Sequence, residues 1–135
     1  MIYVDASAIV AIITNEPEAD DLLARLAAAD TLITSAIAIY EATLGILRKR
    51  RRDVPAALEQ VRAFLDAAGI TEVSITPQHA EVALAAFARY GKGQGHPAQL
   101  NMGDCFAYAA ASTNGACLLF KGDDFARTDI RIAGV

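Results

Sequence analysis

Short apolar runs alternate with longer stretches of helical periodicity along almost the whole chain, and few folds accept that pattern. Residues 1–4, 31–34, 71–75 and 117–120 form the short runs. Between them, apolar side chains recur at three- and four-residue spacing. Leu22, Leu23 and Leu26 mark one helix, and Ile37, Tyr40, Leu44 and Leu47 a second. Leu58, Val61, Phe64 and Leu65 mark a third, and Ala80, Ala83, Leu84 and Phe87 a fourth. Strands separated by helices predict a parallel sheet covered on both faces. All four runs read as strands buried on both sides, with 130–133 available as a fifth. The expected class is α/β, with a central, mainly parallel sheet of four to five strands.

The breaks between elements are chemically explicit. Pro17, Pro55 and Pro77 stand where helices begin, and Thr76 and Asn101 are suited to cap them. The predicted helices cover 5–11, 18–29, 35–50, a segment opened by Pro55, 77–90 and 101–114. Gly91, Gly93, Gly95 and Pro97 make 90–101 a loop, and 123–129 reads as a turn or short helix.

Composition narrows the class further. The chain has 135 residues, 54% of them hydrophobic, which suits one domain spanning 1–135 with a single core. No apolar run approaches the roughly 18 residues of a membrane span. Residues 1–7 carry no basic, long-apolar leader pattern. Cys105 and Cys117 form no spaced framework, and with only His79 and His96 beside them a structural zinc site is not expected. A reduced, cytoplasmic compartment without membrane attachment is the expectation. The net charge of −4 excludes a protein that coats nucleic acid by basic charge alone. It does not exclude an enzyme that meets nucleic acid through metal ions, whose charge the sequence count omits.

In open parallel sheets, ligands bind outside the carboxyl ends of the strands. Asp5 ends the first run, and Asp123 and Asp124 follow the fourth after Lys121-Gly122. Glu41 borders the apolar stripe of its helix, where an unpaired carboxylate is costly. Asp104 lies in the first turn of the helix opened by Asn101. Each acid also has a structural reading. Asp5 suits a helix cap, Asn101 and Asp104 a capping box, Asp123-Asp124 a turn, and Glu41 an edge partner for Arg48 or Lys49. Together, several like charges at one sheet edge repel unless neutralised. Oxygen ligands without Cys or His suit Mg²⁺ or Mn²⁺ and metal-assisted phosphoryl chemistry.

At the level of motifs, the chain resembles the PIN-domain ribonucleases, in particular the VapC-type toxins of bacterial toxin–antitoxin pairs. The resemblance rests on Ile2-Tyr3-Val4-Asp5-Ala6-Ser7-Ala8, on Ser35-Ala36 and Tyr40-Glu41, and on Leu100-Asn101-Met102-Gly103-Asp104-Cys105-Phe106-Ala107-Tyr108. Leu118-Leu119-Phe120-Lys121-Gly122-Asp123-Asp124-Phe125 and Thr128-Asp129-Ile130 complete it. The Asn-x-Gly-Asp-Cys and Lys-Gly-x-Asp-Phe segments, in this order and separation, are its specific part. The resemblance implies a three-layer α/β/α fold and a Mg²⁺-dependent endoribonuclease, with Mn²⁺ as the alternative ion. It implies Asp5, Glu41, Asp104 and Asp123 as catalytic acids, Asp5 and Asp104 as metal ligands, and Asp124 as a further acid. Ser7 and Asn101 would support them. It also implies an RNA substrate, a cognate VapB-type antitoxin and a homodimer built on the helices after Pro17 and around 37–47.

Arg48, Lys49 and Arg50 within the run 48–52, and Arg89 and Lys92 beside the Gly-rich loop, are candidate RNA contacts. The basic run equally suits a helix C-terminus. His79 and Cys105 read as structural, and His96 as an exposed loop residue. Two other enzyme or signalling classes share parts of the pattern. A haloacid-dehalogenase-like phosphatase needs a second acid two residues after the first, where Ser7 stands. A phospho-receiver module needs an acceptor Asp after a middle strand, where 74–76 reads Ser-Ile-Thr.

Overall fold

The computed structural model describes residues 1–134. Four parallel strands, β1 (Ile2–Val4), β2 (Leu32–Ser35), β3 (Ile70–Val73) and β4 (Cys117–Leu119), form one sheet in the order β3-β2-β1-β4. Six helices connect and cover them: α1 (Ala6–Ile13), α2 (Ala19–Ala27), α3 (Ala36–Lys49), α4 (Val54–Ala68), α5 (Pro77–Tyr90) and α6 (Met102–Thr113). A 3-10 turn at Phe125–Arg127 follows β4. This is the α/β fold with a central parallel sheet that the alternation predicts.

Every residue of β1 and β2 is buried. Successive strand side chains point to opposite faces, so both faces of these strands are covered. Tyr3 Oη and Ser35 Oγ share a hydrogen bond of 2.8 Å, and Thr34 Oγ1 donates to the Val4 carbonyl at 2.9 Å, so the buried polar groups of this pair are satisfied by each other. β3 departs from the expectation of burial on both sides. It is an edge strand with Thr71 and Glu72 exposed, and Glu72 faces Arg62 at 3.7 Å. A charge on an edge strand discourages pairing with another chain. The expected fifth strand at 130–133 is reduced to a single parallel bridge between Leu118 and Ile132.

The helix starts follow their capping residues. Asp5, Asp53, Thr76 and Asn101 each accept from a backbone N–H of the first turn, and Pro55 and Pro77 occupy first-turn positions. α1 continues to Ile13, two residues past the predicted end, and closes with Asn15 in the left-handed region at φ 51°. There Asn15 N–H donates to Ile12 O at 3.1 Å and Glu16 N–H to Ala11 O at 2.8 Å, the bond pattern of a Schellman cap. Gly45 lets α1 and α3 approach closely, since a β-carbon there would lie 2.6 Å from Val10 Cγ2.

The topology fixes where a ligand can sit. From β1 the chain steps through β2 to β3, then crosses back past β1 to β4. The connections leaving β1 and β4 therefore diverge, which opens a crevice beyond their carboxyl ends. Asp5 and the loop 120–124 stand at that crevice. No helix among the described residues is long and apolar enough to cross a membrane.

Candidate active site

Asp5 is the first residue after β1 and the cap of α1, so one backbone position fixes it to both sheet and helix. Its backbone N–H donates to Leu119 O on β4 at 3.0 Å. Its side chain is only 6% exposed. Ser7 donates to Asp5 Oδ2 twice, from the backbone N–H at 3.1 Å and from Oγ at 2.6 Å. The same Ser7 Oγ accepts from Lys121 N–H at 2.9 Å. Ser7 thus ties the carboxylate after β1 to the loop after β4. Burial pushes the Asp5 carboxyl above its usual range, Ser7 offsets part of this, and the Asp124 charge adds to it.

Glu41 reaches the same crevice from the middle of α3. It is half-buried, and burial followed by repulsion from Asp5 and Asp104 lifts its pKa to about 7, with Arg48 opposing. It occupies space kept open by Gly103, where any β-carbon would overlap its carboxylate. Asp104 is the third helical residue of α6. The reciprocal capping box is formed: Asp104 N–H donates to Asn101 Oδ1 at 2.8 Å, and Asn101 N–H donates to Asp104 Oδ2 at 3.0 Å. Capping and a site role therefore coexist in Asp104. Burial, then the charges of Asp5 and Asp124, lift its pKa to about 6, against the Asn101 N–H bond.

Asp5, Ser7, Glu41, Asn101 and Asp104 line one cavity of about 350 Å³, together with Glu16, Arg48, Lys49 and Lys121. Of the two consecutive acids after β4, Asp124 is the one whose charge reaches Asp5 and Asp104. Asp123 lines a different cavity, beside Glu18, Asp21 and Arg25. Gly122, at φ 112°, turns the chain just before them, and that turn separates two side chains that sequence alone treats as alternatives.

The basic candidates divide as well. Arg48 and Lys49 line the acidic cavity. Arg50 instead caps the end of α1, donating to Ile13 O at 3.2 Å. Arg89 lies over the Tyr90 ring and faces Asp129 at 3.4 Å. Asp129 also accepts from Tyr108 Oη at 2.7 Å, and this bond first, with Tyr90 and then Arg89 adding to it, holds its carboxyl below the usual range. Lys92 borders an apolar groove between α5 and α6. His79 is buried as part of the α5 capping box, and His96 Nδ1 accepts from Ala98 N–H at 3.0 Å. Cys105 is buried.

The donor set suits a hard divalent cation. Every titratable acid in the cavity offers oxygen, no His or Cys lines it, and the three central carboxyls are raised by burial and mutual repulsion that a cation would relieve. Among the described residues, no three His, Cys, Asp or Glu side chains already stand around a single point. One or two carboxylates, with water completing the shell, are enough for such an ion. The sequence reading missed Glu16, Lys121 and Gly103 as parts of the site. Only the position of Gly103, one residue before Asp104, hinted at a role.

Large exposed apolar side chains occur both on the helices expected to form a dimer and elsewhere, Tyr40 of α3 being 67% exposed. Leu84 and Met102 are 68% and 71% exposed and flank the groove between α5 and α6, beside Phe87 and Phe106. After Pro17 the corresponding residue on α2 is Leu23, and on α3 it is Tyr40.

Comparison with known proteins identifies the family and the fold. The family model for the PIN domain matches residues 2–131. A VapC ribonuclease of Rhizobium meliloti is 44% identical, with 96% of this chain and 99% of that protein aligned. Ribonuclease VapC42 of Mycobacterium tuberculosis is 43% identical over 96% of this chain and 97% of its own length. Among solved structures, M. tuberculosis VapC20, described as a sarcin-ricin loop cleaving toxin, superposes with a TM-score of 0.75 at 16% identity, covering 96% of each chain. VapBC-1 of nontypeable Haemophilus influenzae superposes with a TM-score of 0.70 at 20% identity over 98% and 96%.

Proposed function

The chain belongs to the PIN-domain family, and from that premise we propose that it is the toxin of a toxin–antitoxin pair, a divalent-metal-dependent endoribonuclease that hydrolyses RNA phosphodiester bonds. The observation that carries the chemistry is the convergence of Asp5, Glu41 and Asp104 in one crevice at the carboxyl ends of β1 and β4, with the Asp124 charge beside them. When bound, Mg²⁺ (or Mn²⁺) supplies Lewis acidity to a phosphate oxygen and to water. Asp5 and Asp104 are the residues to hold it, since both are fixed by helix-capping geometry before any ion arrives. Glu41, half-buried beside Asp5 and Asp104, completes the shell directly or through water. Asp124 rather than Asp123 completes the acid set. Ser7 and Asn101 orient Asp5 and Asp104, and Arg48 and Lys49 meet the RNA backbone from the same cavity.

Three further elements belong to this reading. The cognate antitoxin, of the VapB type, covers the acidic cavity. A homodimer forms through α2 and α3, where Leu23 and Tyr40 are exposed apolar side chains. The site of action is the cytoplasm, where RNA is available.

The test is incubation of the purified protein with total RNA in Mg²⁺ or in Mn²⁺, with EDTA as control and a small phosphate ester as a parallel substrate. Discrete RNA fragments that need the metal, with the ester untouched, are the expected result. Ester hydrolysis without RNA cleavage would instead support a phosphatase.

A further inference from the structure

The acidic cavity also holds an ion-pair cluster built around a carboxylate that the acid set does not use. Glu16 lies just beyond the end of α1, and its side chain is only 14% exposed. The Schellman cap at Asn15 folds the chain back, and Pro17 stops it from continuing as helix, so Glu16 is fixed by backbone geometry. Its Oε1 takes both Lys49 Nζ, from the last residue of α3, and Lys121 Nζ, at 3.1 Å, from the loop after β4. Glu18 adds a contact to Lys121 at 3.7 Å. The Lys121 backbone is independently held by Ser7 Oγ. Glu16, Lys49 and Lys121 all line the cavity that contains Asp5, Glu41 and Asp104.

Two ammonium groups drawn to one oxygen repel each other and carry long, flexible stems. A buried-edge carboxylate between them offsets the repulsion and holds both ammonium groups at the cavity wall. The carboxylates and a metal ion between them account for one phosphate. The lysines line the same cavity and are drawn to Glu16 rather than to the three central carboxylates, which leaves them suited to a second phosphate along an RNA strand. We propose that Glu16 is a positioning residue for RNA, holding Lys49 and Lys121 as a paired clamp on a phosphate adjacent to the one cleaved. This rests on the ribonuclease reading above and extends it.

The proposal makes a prediction against the sign of simple electrostatics. Removing a negative charge from an RNA site by Glu16→Gln should, on charge alone, tighten binding. A positioning role weakens it. The probe is a fluorescein-labelled RNA oligonucleotide of mixed sequence that the wild-type protein cuts in Mn²⁺. Glu16→Gln is expected to raise KM about three- to tenfold with kcat changed less than twofold, the pattern of lost ground-state binding. Lys49→Gln and Lys121→Gln should each raise KM and flatten the dependence of log KM on log salt by about 0.7, as expected for one single-strand phosphate contact. In the Glu16→Gln background each lysine substitution should cost measurably less, since the pair is already released. Melting temperatures of all variants check that the fold is kept. If the wild type cuts the RNA but Glu16→Gln leaves KM unchanged or lowers it, the positioning role is overturned and the ribonuclease reading stands. If the folded wild type neither binds nor cuts RNA in Mg²⁺ or Mn²⁺, the ribonuclease reading itself fails.

Discussion

Gly103 and Glu41 share one space: the Glu41 carboxylate sits where any side chain on Gly103 would begin. A glycine at 103 is therefore what leaves room for the Glu41 carboxylate between α3 and α6. Gly103→Ala should gain helix propensity, worth about 1 kcal/mol, and lose more to the clash, about 1–3 kcal/mol. Cleavage should fall more than tenfold as Glu41 is displaced. In a Glu41→Ala background the same Gly103→Ala change should become neutral or stabilising. Thermal melts of the four proteins, with cleavage rates, test the coupling. A Gly103→Ala protein as active as wild type would contradict it.

Glu41 and Asp104 make the metal-free protein sensitive to pH in an unusual direction. Both pKa values are raised in the folded state, from 4.5 to about 7 and from 3.8 to about 6. Between about pH 4 and 7 the native state thus holds more protons than the unfolded chain, so stability falls as pH rises through that window. Both groups are partly exposed, so after discounting for solvent screening the loss is on the order of 1–2 kcal/mol. In EDTA the melting temperature should decline from pH 4.5 to 7.5. With millimolar Mn²⁺ at pH 7.5 it should recover, because the ion binds the native state. A melting temperature that rises steadily from pH 4.5 to 7.5 in EDTA would show that these carboxyls are not held as described.

Ser7 joins Asp5 to the loop after β4 through a single hydroxyl. Ser7→Ala leaves Asp5 Oδ2 with one donor fewer and Lys121 N–H without its acceptor. A cost of about 1–3 kcal/mol follows for the unsatisfied groups, with a larger proportional loss of cleavage. Ser7→Thr keeps the hydroxyl and should retain most of both. Equal behaviour of the two variants would rule out the hydroxyl bridge.

An antitoxin that inhibits by entering the acidic cavity must bring positive charge, most effectively an Arg guanidinium pairing with two carboxylates. High Mn²⁺ should then compete with it, and replacing that Arg by Ala should weaken inhibition at least tenfold. Competition experiments over a range of Mn²⁺ concentrations measure this. Inhibition indifferent to metal would place the antitoxin on the rim instead.

What the sequence revealed was mostly local. Asp5 as a helix cap and Asn101 with Asp104 as a capping box followed from capping chemistry, and Ser7 beside Asp5 from the family resemblance. Glu41 stood out because an acid beside an apolar stripe needs a reason. The layered parallel sheet followed from the alternation of elements. Other features depended on contacts between distant segments or on one backbone angle. Of the two acids after Gly122, it is Asp124 whose charge reaches Asp5 and Asp104, a distinction adjacent identical residues do not reveal. Arg89 finds Asp129 across 40 residues and leaves the cavity. Thr71 and Glu72 are exposed because β3 is last in the strand order. The pairing of Glu16 with Lys49 spans 33 residues and carried no local signature.

On the proposed reading, Asp5 and Asp104 hold a divalent ion in the crevice that Glu41 shares, and RNA is cleaved there. The most direct measurement is the rate of RNA cleavage in Mn²⁺ by the wild type and by Asp104→Asn, each shown to be folded by its melting curve. Asp104→Asn keeps an oxygen acceptor for the Asn101 N–H but removes the charge a metal requires. The account predicts cleavage by the wild type that EDTA abolishes, and a rate at least 100-fold lower in Asp104→Asn. A folded Asp104→Asn protein that cuts RNA as fast as the wild type, or a wild type that cuts equally well in EDTA, would contradict it.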